Sequence, residues 1–184
     1  KIAKEIGLSV SSKKDSVGIC FVGEKNMKDF LGRFIKLEKG PILDEDNNII
    51  GEHNGSTLYT IGQRQGLQIG GIKDKDDLPW YVYKKDILKN YIFVCQGVDN
   101  NLLYSNGLEC EDISWINDDY DFNSIDCMIQ IRHQHEPVDC QINYLNDRYV
   151  IKFNKPIRGV ALGQSAVFYK KNICMGGGVI SRAF

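Results

Sequence analysis

The chain has 184 residues, enough for one domain or two small ones. Its 42% hydrophobic content can build a core, 26% charged content is ordinary for a globular surface, and no run of 18 apolar residues exists to span a membrane. Six cysteines without a C-x-x-C, and no secretory leader pattern, point to free thiols in a reducing, cytoplasmic setting. The net charge of −1 hides an uneven spread: residues 97–127 carry eight Asp/Glu and no Lys/Arg, while 1–39 and 128–184 are each net basic. Either basic end can face an anionic partner, but surface lysine also serves plain solvation.

The chain starts at Lys1 without a Met, and residues 1–8 read as the tail of an amphipathic helix stopping near Gly7. On this reading the sequence is a fragment whose N-terminal part is missing. Residues 9–16 form a polar connector. Val17 to Val22 make a short apolar strand between Gly18 and Gly23, carrying Cys20. Residues 24–36 place Met27, Phe30, Leu31, Phe34 and Ile35 at helical spacing. A thiol at a strand end before a helix is held and reachable, and lysines or the helix N-terminus can lower its pKa. A cysteine among apolar neighbours is equally the pattern of an inert core residue. Both readings of Cys20 stand at this point.

Residues 41–52 predict a β-hairpin around the turn DEDNN. That turn lacks the Gly and closing Glu of a calcium loop. GEHNGSTLYTIGQRQGLQIGG, residues 51–71, is glycine-rich and predicts a connector around a short helix at 60–65. Its bare backbone and polar side chains also suit a phosphate or ribose contact, with Arg64 the cation. It is neither a P-loop nor a dinucleotide fingerprint. WYVY and YIFV predict an antiparallel hairpin, residues 80–94, and a domain boundary falls near 96–106. From Gly107 onward six strands are expected, at 108–115, 127–133, 138–144, 149–153, 165–169 and 174–180, with a turn at Asn154, Lys155 and Pro156. Their number and spacing suggest a small closed barrel. Gly176, Gly177 and Gly178 mark a bend or bulge in the last strand. Cys127, His133, His135 and Cys140 are zinc-ligand types, but no pair has knuckle spacing, and no metal is expected.

KDSVGICFVGEKNMKDFLGRF, the glycine-rich segment, PWYV and LGQSAVFY…CMGGGVI together resemble the bacterial tRNA-specific 2-thiouridylase family, in order and over nearly the whole chain. The resemblance implies thiolation of the wobble uridine of tRNA. It implies an ATP-pyrophosphatase domain with an S-G-G-x-D-S loop, which adenylates the uridine C2 oxygen with ATP and Mg²⁺; that loop is not in these 184 residues. Cys20 falls on the cysteine of G-I-C-F-x-G, which in the family carries a persulfide received from a sulfur-donor protein. A second family cysteine, in the domain that holds the loop, attacks that persulfide and gives a disulfide or hydrogen sulfide. Arg132 and His133 fall on an Arg-aromatic pair that contacts tRNA, Gln164 on a tRNA-contacting Gln, and Arg64 suits phosphate.

The expected fold class is mainly β with a short α/β N-terminal remnant. Residues 1–23 are the end of the ATP-pyrophosphatase domain, 24–96 a central tRNA-contacting domain, and 97–184 a six-stranded β-barrel. The chain alone is expected to bind tRNA weakly and to be catalytically inactive. The alternative is a non-catalytic RNA-binding module with Cys20 in its core. A rhodanese-like sulfur carrier is disfavoured, because Ile19-Cys20-Phe21 is not a loop of backbone amides.

Overall fold

The computed structural model describes residues 2–7, 27–72, 75–116, 124–133 and 135–184. The expected strand around Cys20 lies outside the described residues. The chain forms two compact units, 1–37 and 38–184. In the first, α1 spans Ile2–Glu5 and turns out at Gly7, where φ is +69°. Helix α2 covers Met27–Leu31 and ends before the predicted residue 36. Gly32 follows directly, and a glycine propagates a helix poorly. Phe34 lies in the turn beyond and is exposed. No described helix is long and apolar enough to cross a membrane.

The second unit contains a four-stranded sheet and a closed barrel. Strands β1 (Gly40–Leu43) and β2 (Ile49–His53) form the expected hairpin. Its turn is tied by Asp44, whose carboxylate accepts from the backbone N–H of Asp46 and Asn48 at 2.9 and 2.8 Å and pairs with Lys75 at 3.2 Å. Burial opposes ionisation of Asp44, but these hydrogen bonds outweigh it and hold the carboxyl below its ordinary value. Strands β3 (Trp80–Asp86) and β4 (Tyr91–Gln96) form the second hairpin. Strand β1 then pairs in parallel with β4 through Ile42 and Leu43, giving the order β2-β1-β4-β3. Ile42, Tyr59, Leu67, Val82, Ile92 and Val94 are its buried core.

The barrel runs β10-β5-β8-β7-β6-β9, all antiparallel. Its strands are β5 (Tyr104–Trp115), β6 (Ser124–Gln130), β7 (Val138–Leu145), β8 (Arg148–Arg158), β9 (Ser165–Lys170) and β10 (Ile173–Ala183). Inward residues such as Leu108, Ile129, Ile142, Ile151, Phe168 and Met175 are fully buried. Six strands close, as the spacing predicted. Asn154, Lys155 and Pro156 do not end a strand, however. They lie inside β8, where the pairing with β5 jumps from Gly107↔Lys152 to Ser105↔Ile157. Turn chemistry here produces an unpaired bulge, the place where a proline without an N–H does no harm.

Candidate RNA interface

The glycine-rich segment is a loop folded against β3. Ser56–Leu58 is a single 3₁₀ turn, and no helix forms at 60–65. Gly62 and Gly66 take φ of +83° and +82°, outside helical space. The loop is closed by its own polar groups. The Gly62 N–H donates to the Val82 carbonyl at 2.7 Å, and the Val82 N–H donates to the Gln63 carbonyl at 3.0 Å. The Gln63 amide accepts from the Thr60 N–H and donates to the Gln65 carbonyl, while the Tyr59 hydroxyl donates to the Gly66 carbonyl at 3.1 Å. Arg64 is left exposed beside a groove of about 360 Å³, lined also by Leu67, Ile69, Asp77, Trp80 and Gln96.

Strand β6 ends at Gln130, short of the predicted His133, so Arg132 and His133 lie in the turn that follows, both exposed. The Gln130 side chain donates to the His135 carbonyl at 2.6 Å and the His135 N–H to the Arg132 carbonyl at 3.2 Å, closing that turn. Gln164 lies in the turn before β9 and is exposed. Its carbonyl accepts from the Ile180 N–H at 2.9 Å. Because Met128, Ile129 and Gln130 pair with Tyr169, Phe168 and Val167, the end of β6 meets the start of β9. Arg132, His133 and Gln164 therefore share one end of the barrel. The end of β8 is there too: a Cβ built on Gly159 would sit 3.5 Å from Arg132 Nη1 and 3.9 Å from the Gly62 Cα of the glycine-rich loop.

The proposed zinc-type residues do not assemble into a centre. Cys127 and Cys140 face each other across β6 and β7, buried, with their sulfurs 3.6 Å apart. His133 points to solvent from the turn, and among the described residues no three His, Cys, Asp or Glu are gathered to hold a metal. The five described cysteines are all free thiols. Cys20 lies outside the described residues.

Residues 105–180 match the aminomethyltransferase beta-barrel domain, and residues 28–96 match the tRNA methyl transferase PRC-barrel domain. The chain is 50% identical over 181 residues to tRNA-specific 2-thiouridylase MnmA of Buchnera aphidicola subsp. Schizaphis graminum, 97% of this chain and 49% of that protein. It is 47% identical over 180 residues to the same enzyme of Buchnera aphidicola subsp. Acyrthosiphon pisum, again 97% and 49%, and 43% identical over 183 residues to that of Salmonella typhimurium, 99% and 50%. Over nearly its whole length this chain is similar to the tRNA-specific 2-thiouridylases. It spans about half the length of the curated relatives it matches.

The two domain matches meet where the sheet adjoins the barrel. Tyr81 of β3 lies against Arg158 at the end of β8, its ring centroid 4.7 Å from the guanidinium carbon. Neither residue stood out in the sequence: Arg158 closes a strand, Tyr81 sits in an aromatic hairpin, and only the fold joins them. The barrel's arginines divide into two classes. Arg148 and Arg182 are paired at 3.2 and 3.0 Å with the Glu109 carboxylate of β5. Arg132 and Arg158 make no ion pair among the described residues. The Gly62 amide is committed to β3 and leaves no free N–H there for a nucleotide phosphate.

Proposed function

We propose that this chain is part of a tRNA 2-thiouridylase that transfers persulfide sulfur to C2 of the adenylated wobble uridine of tRNA. The observation that supports it is the 50% identity to a tRNA-specific 2-thiouridylase across 97% of the chain. In this reading Cys20 carries the persulfide delivered by a sulfur-donor protein. A persulfide is more acidic than a thiol, so its terminal sulfur is an anionic nucleophile that displaces AMP from the adenylated C2. The second cysteine of the full-length enzyme then attacks the Cys20 sulfur, breaking the S–S bond, releasing the 2-thiouridine and leaving a Cys–Cys disulfide. ATP and Mg²⁺ prepare that substrate at residues other than the described ones. Arg64, Arg132, His133 and Gln164 dock the tRNA: the arginines meet phosphates, Gln164 offers a neutral donor and acceptor, and His133 stacks or hydrogen-bonds.

The test uses the full-length enzyme with unmodified tRNA, ATP and a persulfide donor, comparing wild type with Cys20→Ser. Loss of 2-thiouridine with tRNA binding intact places Cys20 in sulfur transfer. Thiolation retained by the variant makes Cys20 a packing residue and overturns its role. No thiolation by wild type leaves the second reading, an RNA-binding module, which draws on the exposed polar barrel end alone.

A further inference from the structure

Arg158 is the least satisfied cation of the described chain. Its Nε and Nη2 are shielded from solvent with no hydrogen-bond partner, and one face of the guanidinium is covered by Tyr81. A Cβ on Gly62 would lie 3.9 Å from its remaining nitrogen, Nη1, and 3.6 Å from the Gly159 Cα. Arg132 Nη1 lies at the same glycine contact, 3.5 Å from a Cβ on Gly159. Two guanidiniums thus approach one seam at a pair of glycines, and no side chain at either glycine fills the space beside them. No carboxylate among the described residues pairs with either, although Glu109 neutralises two other arginines of the same barrel. Like charges held at one seam repel, and burial makes an unpaired charge costly. Both penalties fall when an anion enters, and each Nη1 can donate a charge-assisted hydrogen bond to a phosphate oxygen.

We propose that Arg158 and Arg132 form a phosphate seat at the seam between the four-stranded sheet and the barrel, and that it takes the phosphodiester backbone of the bound RNA. The RNA part of this inference rests on the proposed function; the seat itself rests on the geometry. Tyr81 is a positioning residue, holding the Arg158 guanidinium flat so that Nη1 faces the seam.

The 184-residue chain is titrated with unmodified tRNA across a salt series, as wild type, Arg132→Gln, Arg158→Gln, the double variant and Arg158→Lys. Each lost phosphate contact lowers the slope of log K against log salt by about 1, so the double variant loses about 2, and Arg158→Lys stays near wild type. In parallel, inorganic pyrophosphate raises the melting temperature of wild type but not of the double variant. A slope unchanged in all variants, with no arginine-dependent pyrophosphate effect, overturns the seat even if Arg158→Gln melts lower, and leaves Arg158 as a clamp on Tyr81. If wild type binds no tRNA while the pyrophosphate effect persists, the seat stands and the RNA reading falls. If Arg158→Gln does not fold, Arg132→Gln and Arg158→Lys still carry the comparison.

Discussion

His53 is buried with both ring nitrogens occupied. Nδ1 accepts from the Gly55 N–H at 3.0 Å, which fixes the proton on Nε2, and Nε2 donates to the Asn90 carbonyl at 3.0 Å. A second proton would point at the Gly55 N–H, and burial holds the ring's pKa below its ordinary 6.5. In the unfolded chain the ring takes a proton as pH falls through 6.5, whereas in the folded chain it takes one only at lower pH. The stability it contributes is therefore complete above 6.5 and is lost as pH falls below that value. His53→Gln should flatten this part of the pH–stability curve, read by urea denaturation at several pH values. Asp44 acts in a separate window, below its ordinary 3.8, where its carboxylate begins to protonate. Among the thiols, burial pushes Cys95 and Cys110 up to about 12. Cys127 goes the other way: its hydrogen bond with Cys140 favours the Cys127 thiolate and lowers its pKa despite burial. Alkylation followed by peptide mass mapping should give Cys127 a lower pH midpoint than Cys95 or Cys110, and Cys140→Ala should raise it. An unchanged Cys127 midpoint in that variant would show that the sulfur–sulfur hydrogen bond is not its cause.

At the scale of elements, β10 shows why three glycines stand in a strand. A Cβ on Gly177 would lie 2.6 Å from the Ala166 carbonyl of β9, and one on Gly178 2.6 Å from the Ile113 side chain of β5. The strand is squeezed between both neighbours, and its register shifts on either side of the glycines. Gly177→Val should cost about 2 kcal/mol, measured by chemical denaturation, because two backbones must separate to admit the side chain. Glu109 of β5 ties β8 and β10 through Arg148 and Arg182. Both arginines are mostly exposed, so solvent screens them, and Glu109→Gln should cost about 1 kcal/mol.

Elements were legible where local chemistry decides them. Asn146 and Asp147, both at positive φ, announce the β7–β8 turn, and the alternation in 125–129 gives a strand with one buried face. The bulge at Asn154 to Pro156 and the loop at 60–65 were misread because polar turn residues do not say whether a strand ends, bends or never starts. The neighbours decide, β5 and β7 in one case and Val82 in the other. The site divides the same way. Arg132, His133 and Gln164 came from matched motifs, whereas Arg158 meets Tyr81 across 77 positions of sequence, beyond any local pattern.

For the whole molecule, net charge says little, since −1 averages a neutralised set of arginines and an unpaired one. On the proposed function, the 184-residue chain should bind tRNA with marked salt dependence yet form no 2-thiouridine when given ATP and a persulfide donor, because the S-G-G-x-D-S loop that the resemblance implies is not in these residues. Nucleoside analysis of the recovered tRNA checks this, and any ATP-dependent thiolation refutes it.

The ring of the barrel closes through β5 and β10, with Leu108 paired to Ala183 and Gly107 bonded in both directions to the Phe184 backbone. On a ribosome, β5 emerges long before its partner exists. Until residues 173–184 are free of the exit tunnel, β5 and β9 each present an unpaired edge to every other nascent chain nearby. A translational stall just ahead of β10 is therefore where the protein should be most prone to aggregate.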